Sequence, residues 1–416
     1  MSGFCKKIFS LALVLALLAP FPPANARGPL TIEAAVQEAL QANPALMAAG
    51  KEVEAAKARI HSARSLNDPM VGVEFEEVPV TTSDITQGMM TNYVLTQDLP
   101  FPTKLAAKSK AAKKNYLAEQ NSYEAEKIDL MMAVEHSYHH LYLFEHSLGI
   151  NRELQGVFQR LAAAEQAKYQ TGGNTSQNFL KARVEAEKLK NEEALLEAER
   201  VMALAQLNRL RNKNPGEEVS LAGLPSLHPV SSHDALEEKF FKKNPEVKSA
   251  KLRAEAFKAD ASLAKQEAWI PDLQARFAYN QRYNQQDAWT GGAMINLPFV
   301  WGKKRKEARE AKAMAQAARH ALRDVENERL ARLEESYARL ESARQSHAIF
   351  KEKILPQAQL ALKSSEAAYQ TGQDDFLSLI DAAREFKEVK LSALEAFVNY
   401  HRAVTDLKGA VGEEIL

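Results

Sequence analysis

The 416 residues include a single cysteine, and 54 basic residues cancel 54 acidic ones. Each scarcity excludes something. Cys5 lies in the charged leader described below, so cleavage leaves a mature chain with no thiol for disulfide, thiolate-metal or cysteine-nucleophile chemistry. Balanced charge gives no global pull toward nucleic acid, and no nucleic-acid partner is expected. Catalytic signatures are missing too: there is no P-loop, no Gly-x-Ser-x-Gly elbow and no His-Glu-x-x-His. The expectation is a protein that is not an enzyme and has no cofactor.

The leader has a short apolar run, from Ile8 to Leu18, with Lys6 and Lys7 before it and Ala24-Asn25-Ala26 after it. This reads as a signal peptide over residues 1–26. A run of roughly ten apolar residues falls well short of the twenty or so needed to span a bilayer. Its removal takes two lysines and no acids, leaving a net charge of −2, and exposes no N-terminal cysteine for lipid attachment.

What the chain does contain is one unit used twice. Asn43-Pro44 returns as Asn244-Pro245, and Asp68-Pro69 as Ile270-Pro271. Leu99-Pro100-Phe101 returns as Leu297-Pro298-Phe299, Tyr-Gln-Thr-Gly at Tyr169 to Gly172 recurs at Tyr369 to Gly372, and Gly216 to Val219 as Gly412 to Ile415. Five landmarks in one order, spaced near two hundred residues, mark a duplication. The first repeat is placed at 27–215, an inter-repeat equatorial segment at 216–230, and the second repeat at 231–416.

Each repeat has the same grammar. A helix broken at its Asn-Pro comes first. Two period-two segments follow, near 70–79 and 90–98 in the first copy and 272–283 and 288–297 in the second. Val71, Val73 and Phe75 alternate with Gly72, Glu74 and Glu76; the stretch around Tyr93 and Leu95 alternates less cleanly. Hairpins then occupy about 103–212 and about 303–411, rich in Ala, Glu, Lys, Leu, Arg and Gln and interrupted mainly by Pro356. An unbroken helix of about 66 residues would reach roughly 100 Å. Its length suits a 35-residue return helix stacked end to end on a shorter helix, expected to come from the other copy.

Short strands with one apolar and one polar face suit a membrane barrel, although a soluble sheet has the same pattern. Tyr93, Phe101, Tyr283, Trp289, Phe299 and Trp301 lie near strand ends, where interfacial aromatics sit. Four strands cannot close a barrel when the smallest need about eight, so a membrane reading requires several chains.

The ordered set of helix, strand pair, long helix, Tyr-x-x-Gly tip and return helix resembles the outer membrane efflux protein family, the TolC-like outer membrane factors. LPFP at Leu99 to Pro102 and LPFVWGKK at Leu297 to Lys304 resemble its strand-to-helix junctions. YQTGGNTSQNFLKARVEAEK from Tyr169 and YQTGQDDFLSLIDAAREF from Tyr369 resemble its tips. The resemblance implies a mainly α fold with membrane β: a homotrimer whose twelve-stranded barrel in outer-membrane lipid continues into a twelve-helix periplasmic barrel. It implies an exit duct that docks a periplasmic adaptor and an inner-membrane efflux pump of the RND type. The LPFP junction is similar to that of the heavy-metal, CzcC-like branch, making metal cations the leading cargo and drugs or other small molecules the alternative. A periplasmic adaptor and a soluble coiled coil remain the rival classes.

On this reading Tyr169, Gly172, Gly173, Tyr369, Gly372 and Gln373 form the tips that meet the adaptor. Gln177, Asn178, Asp374 and Asp375 are candidates for the entrance constriction. Gln177 and Asn178 stand where the family often has an acidic gate residue, which argues against a like-for-like salt-bridge lock. Asp374 and Asp375 suit either an acidic ring or the first turn of the return helix. Finally, His136, His139 and His140 are candidate metal ligands, with His136 and His140 four residues apart on one helix face and a solvated face as the alternative. The second copy reads Glu335-Ser336-Tyr337 at this level, so the repeat itself does not require imidazoles.

Overall fold

The computed structural model describes residues 28–81, 84–170, 176–226, 230–283 and 285–412; the leader at 1–26 lies outside them. The first copy runs α1 (Ile32–Ala42), α2 (Pro44–Arg64), β1 (Met70–Glu76), β2 (Met90–Leu99), α3 (Pro102–Gln170) and α4 (Ser176–Leu210). The second runs α5 (His233–Lys243), α6 (Pro245–Trp269), β3 (Leu273–Arg282), β4 (Ala288–Ile295), α7 (Lys303–Ile349), α8 (Leu355–Gln370) and α9 (Phe376–Val411). The fold therefore repeats one helix, strand-pair and hairpin unit, as its sequence grammar implies.

With 69 residues, α3 is about 104 Å long at 1.5 Å per residue. Its counterpart is divided by a π-turn at Phe350–Ile354, just before Pro356, where the ring has no N–H and crowds the preceding turn.

Proline also explains the broken helices near the equator. Pro44 and Pro245 each start a helix, and the asparagine before each one caps it. Asn43 Oδ1 accepts from the Ala45 and Leu46 amides at 2.9 and 3.2 Å, while its Nδ2 donates to the Leu210 carbonyl at 3.0 Å. Asn244 does the same with Glu246, Val247 and Ala410, at 3.0, 3.1 and 3.2 Å. Each side chain thus joins the start of one helix to the end of another: α2 to α4, and α6 to α9. The stacked partner belongs to the same copy, not to the other copy as sequence length suggested, because the asparagine amide fixes the pairing.

Around these joints lie two apolar clusters, one per copy. Val134, Tyr138, Leu141, Leu204 and Leu207 pack under α1, and Leu333, Leu340 and Leu407 pack against Leu236 and Phe240 of α5. The Tyr138 hydroxyl lies 2.7 Å from the carbonyls of both Leu30 and Ala222, which pins the inter-repeat segment to α3. Where α9 crosses α3, a Cβ on Gly409 would stand 1.8 Å from Met132 Sδ, so the glycine sets the closeness of that crossing. A third cluster, including Leu154, Phe158, Phe376 and Ile380, lies toward the tips.

The strands form one antiparallel sheet in the order β1-β2-β3-β4. Its central pair, Met90↔Arg282 to Leu99↔Leu273, joins the two copies. Neither β1 nor β4 has a further strand beside it among the described residues.

Asn244→Ala removes a cap and a buried bridge, and is expected to destabilise the fold by about 1–3 kcal/mol. Asn43→Ala is expected to match it, while Asn→Asp at either site keeps the acceptor and loses less. Thermal unfolding of detergent-solubilised protein measures this, and an unchanged transition in both alanine variants would show that the joints do not depend on these amides.

Candidate functional site

Three regions gather the functional candidates: the hairpin tips, the sheet and the histidines of α3. At the first tip Tyr169 is exposed near the end of α3, and Gly172 and Gly173 lie outside the described residues. Gln177 is exposed on the first turn of α4, and Asn178 Nδ2 reaches Glu165 Oε2 at 3.5 Å.

The second tip is a tight turn. Gly372 has φ +74°, the left-handed conformation that a side chain resists, and the Gln373 amide donates to the Ala368 carbonyl at 2.8 Å. Asp374 Oδ1 accepts from the Asp375 amide at 2.9 Å. Asp375 caps α9, accepting from the Ser378 amide at 2.8 Å and its hydroxyl at 2.9 Å, and these bonds lower its pKa.

Between the two tips lies a network that sequence reasoning missed. Glu165, only 1% exposed, accepts a hydrogen bond from the Tyr369 hydroxyl and pairs with Lys168 at 3.0 Å. Lys168 Nζ also donates to the Tyr369 oxygen at 2.9 Å and lies 4.3 Å from the centre of its ring. The bond to Tyr369 raises the lysine pKa; burial, then Glu165, raises that of the phenol. One hairpin is thereby tied to the other at a buried carboxylate. The equivalent Tyr169 is half exposed and makes no such bond among the described residues.

Farther along, Arg384 of α9 grips Glu185 of α4 with two nitrogens at 2.6 and 3.0 Å, and its hydrogen bonds hold the Glu185 pKa below the usual range. Lys387 pairs with Glu192, and Lys390 with Glu153 at 2.5 Å. The seven-residue spacing of Glu185 and Glu192 was a readable signal, but only helix register could say what faced them.

The sheet has two chemically different faces. Register places Val73 beside Tyr93, Tyr93 beside Tyr279 and Tyr279 beside Trp289, with Val71, Leu95, Phe277 and Ile295 on the same side. These side chains are exposed, Trp289 by 71%. The opposite face bears polar pairs: Arg276 with Glu74 at 2.5 Å, Gln274 with Asp98 at 2.8 Å, and Asn280 with Thr290 at 2.7 Å. Tyr93, Tyr283 and Trp289 fall toward the strand-turn end, with the Tyr283 and Thr91 hydroxyls 2.7 Å apart. Phe101, Phe299 and Trp301 lie at the opposite, helix-junction end, all exposed. Phe277 and Tyr279, in the apolar phase of the alternation along β3, belong to the same face.

The three candidate histidines have different surroundings. His136 Nε2 lies 2.8 Å from Asp406 of α9, and His140 is exposed with its ring edge against Phe144. His139 is buried, with its ring 5.7 Å from that of His401 on α9, a partner that sequence reasoning did not find. Among the described residues no group of three or more His, Cys, Asp or Glu side chains converges to hold a metal ion. Nor is any described helix long and apolar enough to cross a membrane.

Burial drives the His139 pKa down to about 3 and that of His401 to about 4, with neighbouring imidazoles and Lys408 adding repulsion. Both rings are therefore neutral in the fold and take protons near pH 6.5 once unfolded. Stability is fully retained above about pH 6.5 and falls as pH drops toward 4, by on the order of 1 kcal/mol per pH unit for each ring. His139→Phe with His401→Phe is expected to flatten that slope in thermal melts over this interval, and parallel slopes would remove the pair from the acid response.

A family model described as outer membrane efflux protein matches residues 35–213 and, a second time, 238–413. No curated protein matches the chain by sequence. Among solved structures it is similar to the outer-membrane channel OprN, at 18% identity over 92% of this chain and 89% of that chain, with TM-score 0.79. CusC, whose structures describe folding and transmembrane channel formation, shows 20% identity over 92% of each chain and TM-score 0.77. The Campylobacter jejuni CmeC outer membrane channel shows 15% identity over 92% and 85%, with TM-score 0.79. At such identities the likeness is one of fold.

Proposed function

Because the chain belongs to the outer membrane efflux protein family, we propose that it is the trimeric exit duct of a tripartite system, receiving heavy-metal cations from an inner-membrane pump through a periplasmic adaptor. The family is one of passive channels located in the outer membrane, which sets aside the adaptor and soluble coiled-coil readings. What carries the proposal is the sheet: an exposed apolar face, a polar face and two open edges.

In hydrocarbon each unpaired backbone group costs several kcal/mol, so an open sheet edge is not tolerated. Three copies of this sheet supply twelve strands, enough to close, with the Val73-Tyr93-Tyr279-Trp289 row toward lipid and the Glu74-Arg276 side toward water. The helices call for neighbours as well. Leu180, Val184, Leu195 and Met202 of α4 remain exposed, a run of apolar side chains that contact with another chain would cover.

Within this duct the Glu165-Lys168-Tyr369 network ties the hairpins at the periplasmic entrance, with Asn178 reaching Glu165, Gln177 beside it in sequence, and Gly372, Gln373 and Asp374 in the turn that follows Tyr369. Opening requires breaking a hydrogen bond to a buried carboxylate. The metal cargo rests on the likeness of the LPFP junction to the heavy-metal branch; drug export by the same duct is the alternative.

Two measurements test this reading. Tyr369→Phe with Glu165→Gln removes a charge-assisted bond worth about 1.5–3 kcal/mol, which moves a closed-open equilibrium by about tenfold or more. Conductance in planar bilayers is expected to rise accordingly, and an unchanged closed fraction would remove the network from gating. A deletion strain is expected to become sensitive to metal cations, whereas sensitivity confined to organic drugs would overturn the cargo assignment.

A further inference from the structure

Zero net charge over the whole chain conceals a steep gradient. In the helix segments nearest the sheet, residues 55–68, 102–114, 258–272 and 302–312, there are sixteen Lys and Arg against six Asp and Glu. The four segments share one level. Lys114 pairs with Glu255 at 2.6 Å and Lys304 with Glu267 at 3.4 Å, setting α3, α6 and α7 side by side, and α2 meets α3 where Gly50 faces Tyr123.

Several of the few acids are already engaged: Asp272 holds Lys104 at 2.7 Å, and Glu267 and Glu307 share Lys304. Lys108, Lys113, Arg305, Lys306, Arg309 and Lys312 are exposed and have no ion-pair partner among the described residues. Helix stability does not account for them. Both α3 and α7 begin here with no acid in the first turn, and a helix N-terminus disfavours nearby cations.

Their neighbours on the sheet side are the exposed Phe101, Phe299 and Trp301, the last 92% accessible. From sheet to helix the surface therefore passes from apolar to aromatic to cationic within about 20 Å of helix rise. A bilayer offers the matching order of hydrocarbon, interface and anionic headgroups. We propose that this cationic belt binds anionic phospholipid headgroups of the periplasmic leaflet and fixes the depth at which the barrel sits. The inference rests on the membrane-duct reading above.

The test compares wild type with a variant carrying Lys108→Gln, Lys113→Gln, Lys306→Gln, Arg309→Gln and Lys312→Gln. A control neutralises five exposed cations distant from the belt: Arg183→Gln, Lys190→Gln, Arg332→Gln, Lys353→Gln and Lys363→Gln. Lipid retention is read by native mass spectrometry after titrating detergent-solubilised protein with phosphatidylglycerol, phosphatidylcholine or soluble peptidoglycan fragments. Wild type and control are expected to prefer phosphatidylglycerol over phosphatidylcholine by about tenfold, and the belt variant to lose that preference. Equal retention of both lipids by wild type, equal losses in the two variants, or preferential capture of the peptidoglycan fragments overturns the belt. Flotation with vesicles separates the two readings: wild-type protein that fails to float defeats the membrane duct, while protein that floats without lipid preference defeats only the belt.

Discussion

The backbone of β1 and β4 sets the condition on which the rest depends. Each edge strand has a row of N–H and C=O groups with no protein partner within the described chain. In water that is a modest liability, but in hydrocarbon it is prohibitive. A sheet with an apolar outer face can therefore enter lipid only if its edges are joined, and the joining must come from other copies. In the proposed duct, oligomer, barrel and membrane location are one requirement seen at three scales. The helices beneath the sheet follow from it in that assembly, because a closed ring of strands would fix the circle from which α3 and α7 descend.

Duplication supplies the parts economically, yet the copies diverge where function is expected. Asn43 and Asn244 hold their stacked helices with the same three bonds, so the frame is twofold in design. At the tips the symmetry is abandoned. Tyr369 bonds to a buried carboxylate of the other hairpin, whereas Tyr169 faces outward. On the proposed reading, an entrance that has to open needs one hairpin able to move against another, and a bond between unlike partners allows that without loosening the frame.

How far the sequence could be read depended on whether a feature is local. The strands of β3 and β4 show their phase in Phe277, Tyr279, Trp289 and Ile295. In β2 the alternation is blurred because Val94, buried on the opposite face, is apolar too. Helix breaks at Asn-Pro were legible from proline chemistry, but the pairing of α2 with α4 was not, since it turns on a bond from Asn43 to Leu210. The same limit hid the tip network, which links residues 204 apart, and the pairing of His139 with His401. Composition along one helix shows which side chains are available; register between helices decides which of them meet.

Charge is distributed along this long molecule in the same functional order. Near the sheet, unpaired cations are displayed; toward the tips, Glu165, Glu185, Glu192 and Glu153 are matched with Lys168, Arg384, Lys387 and Lys390. The two regions lie on opposite parts of α3, which is about 104 Å long, while electrostatic influence in physiological salt decays over about 8 Å. Neither set of charges can influence the other directly. In the proposed duct, seating in the membrane and opening at the entrance are thus electrostatically independent, and any coupling between them has to travel mechanically, through helices held end to end by the two asparagine joints.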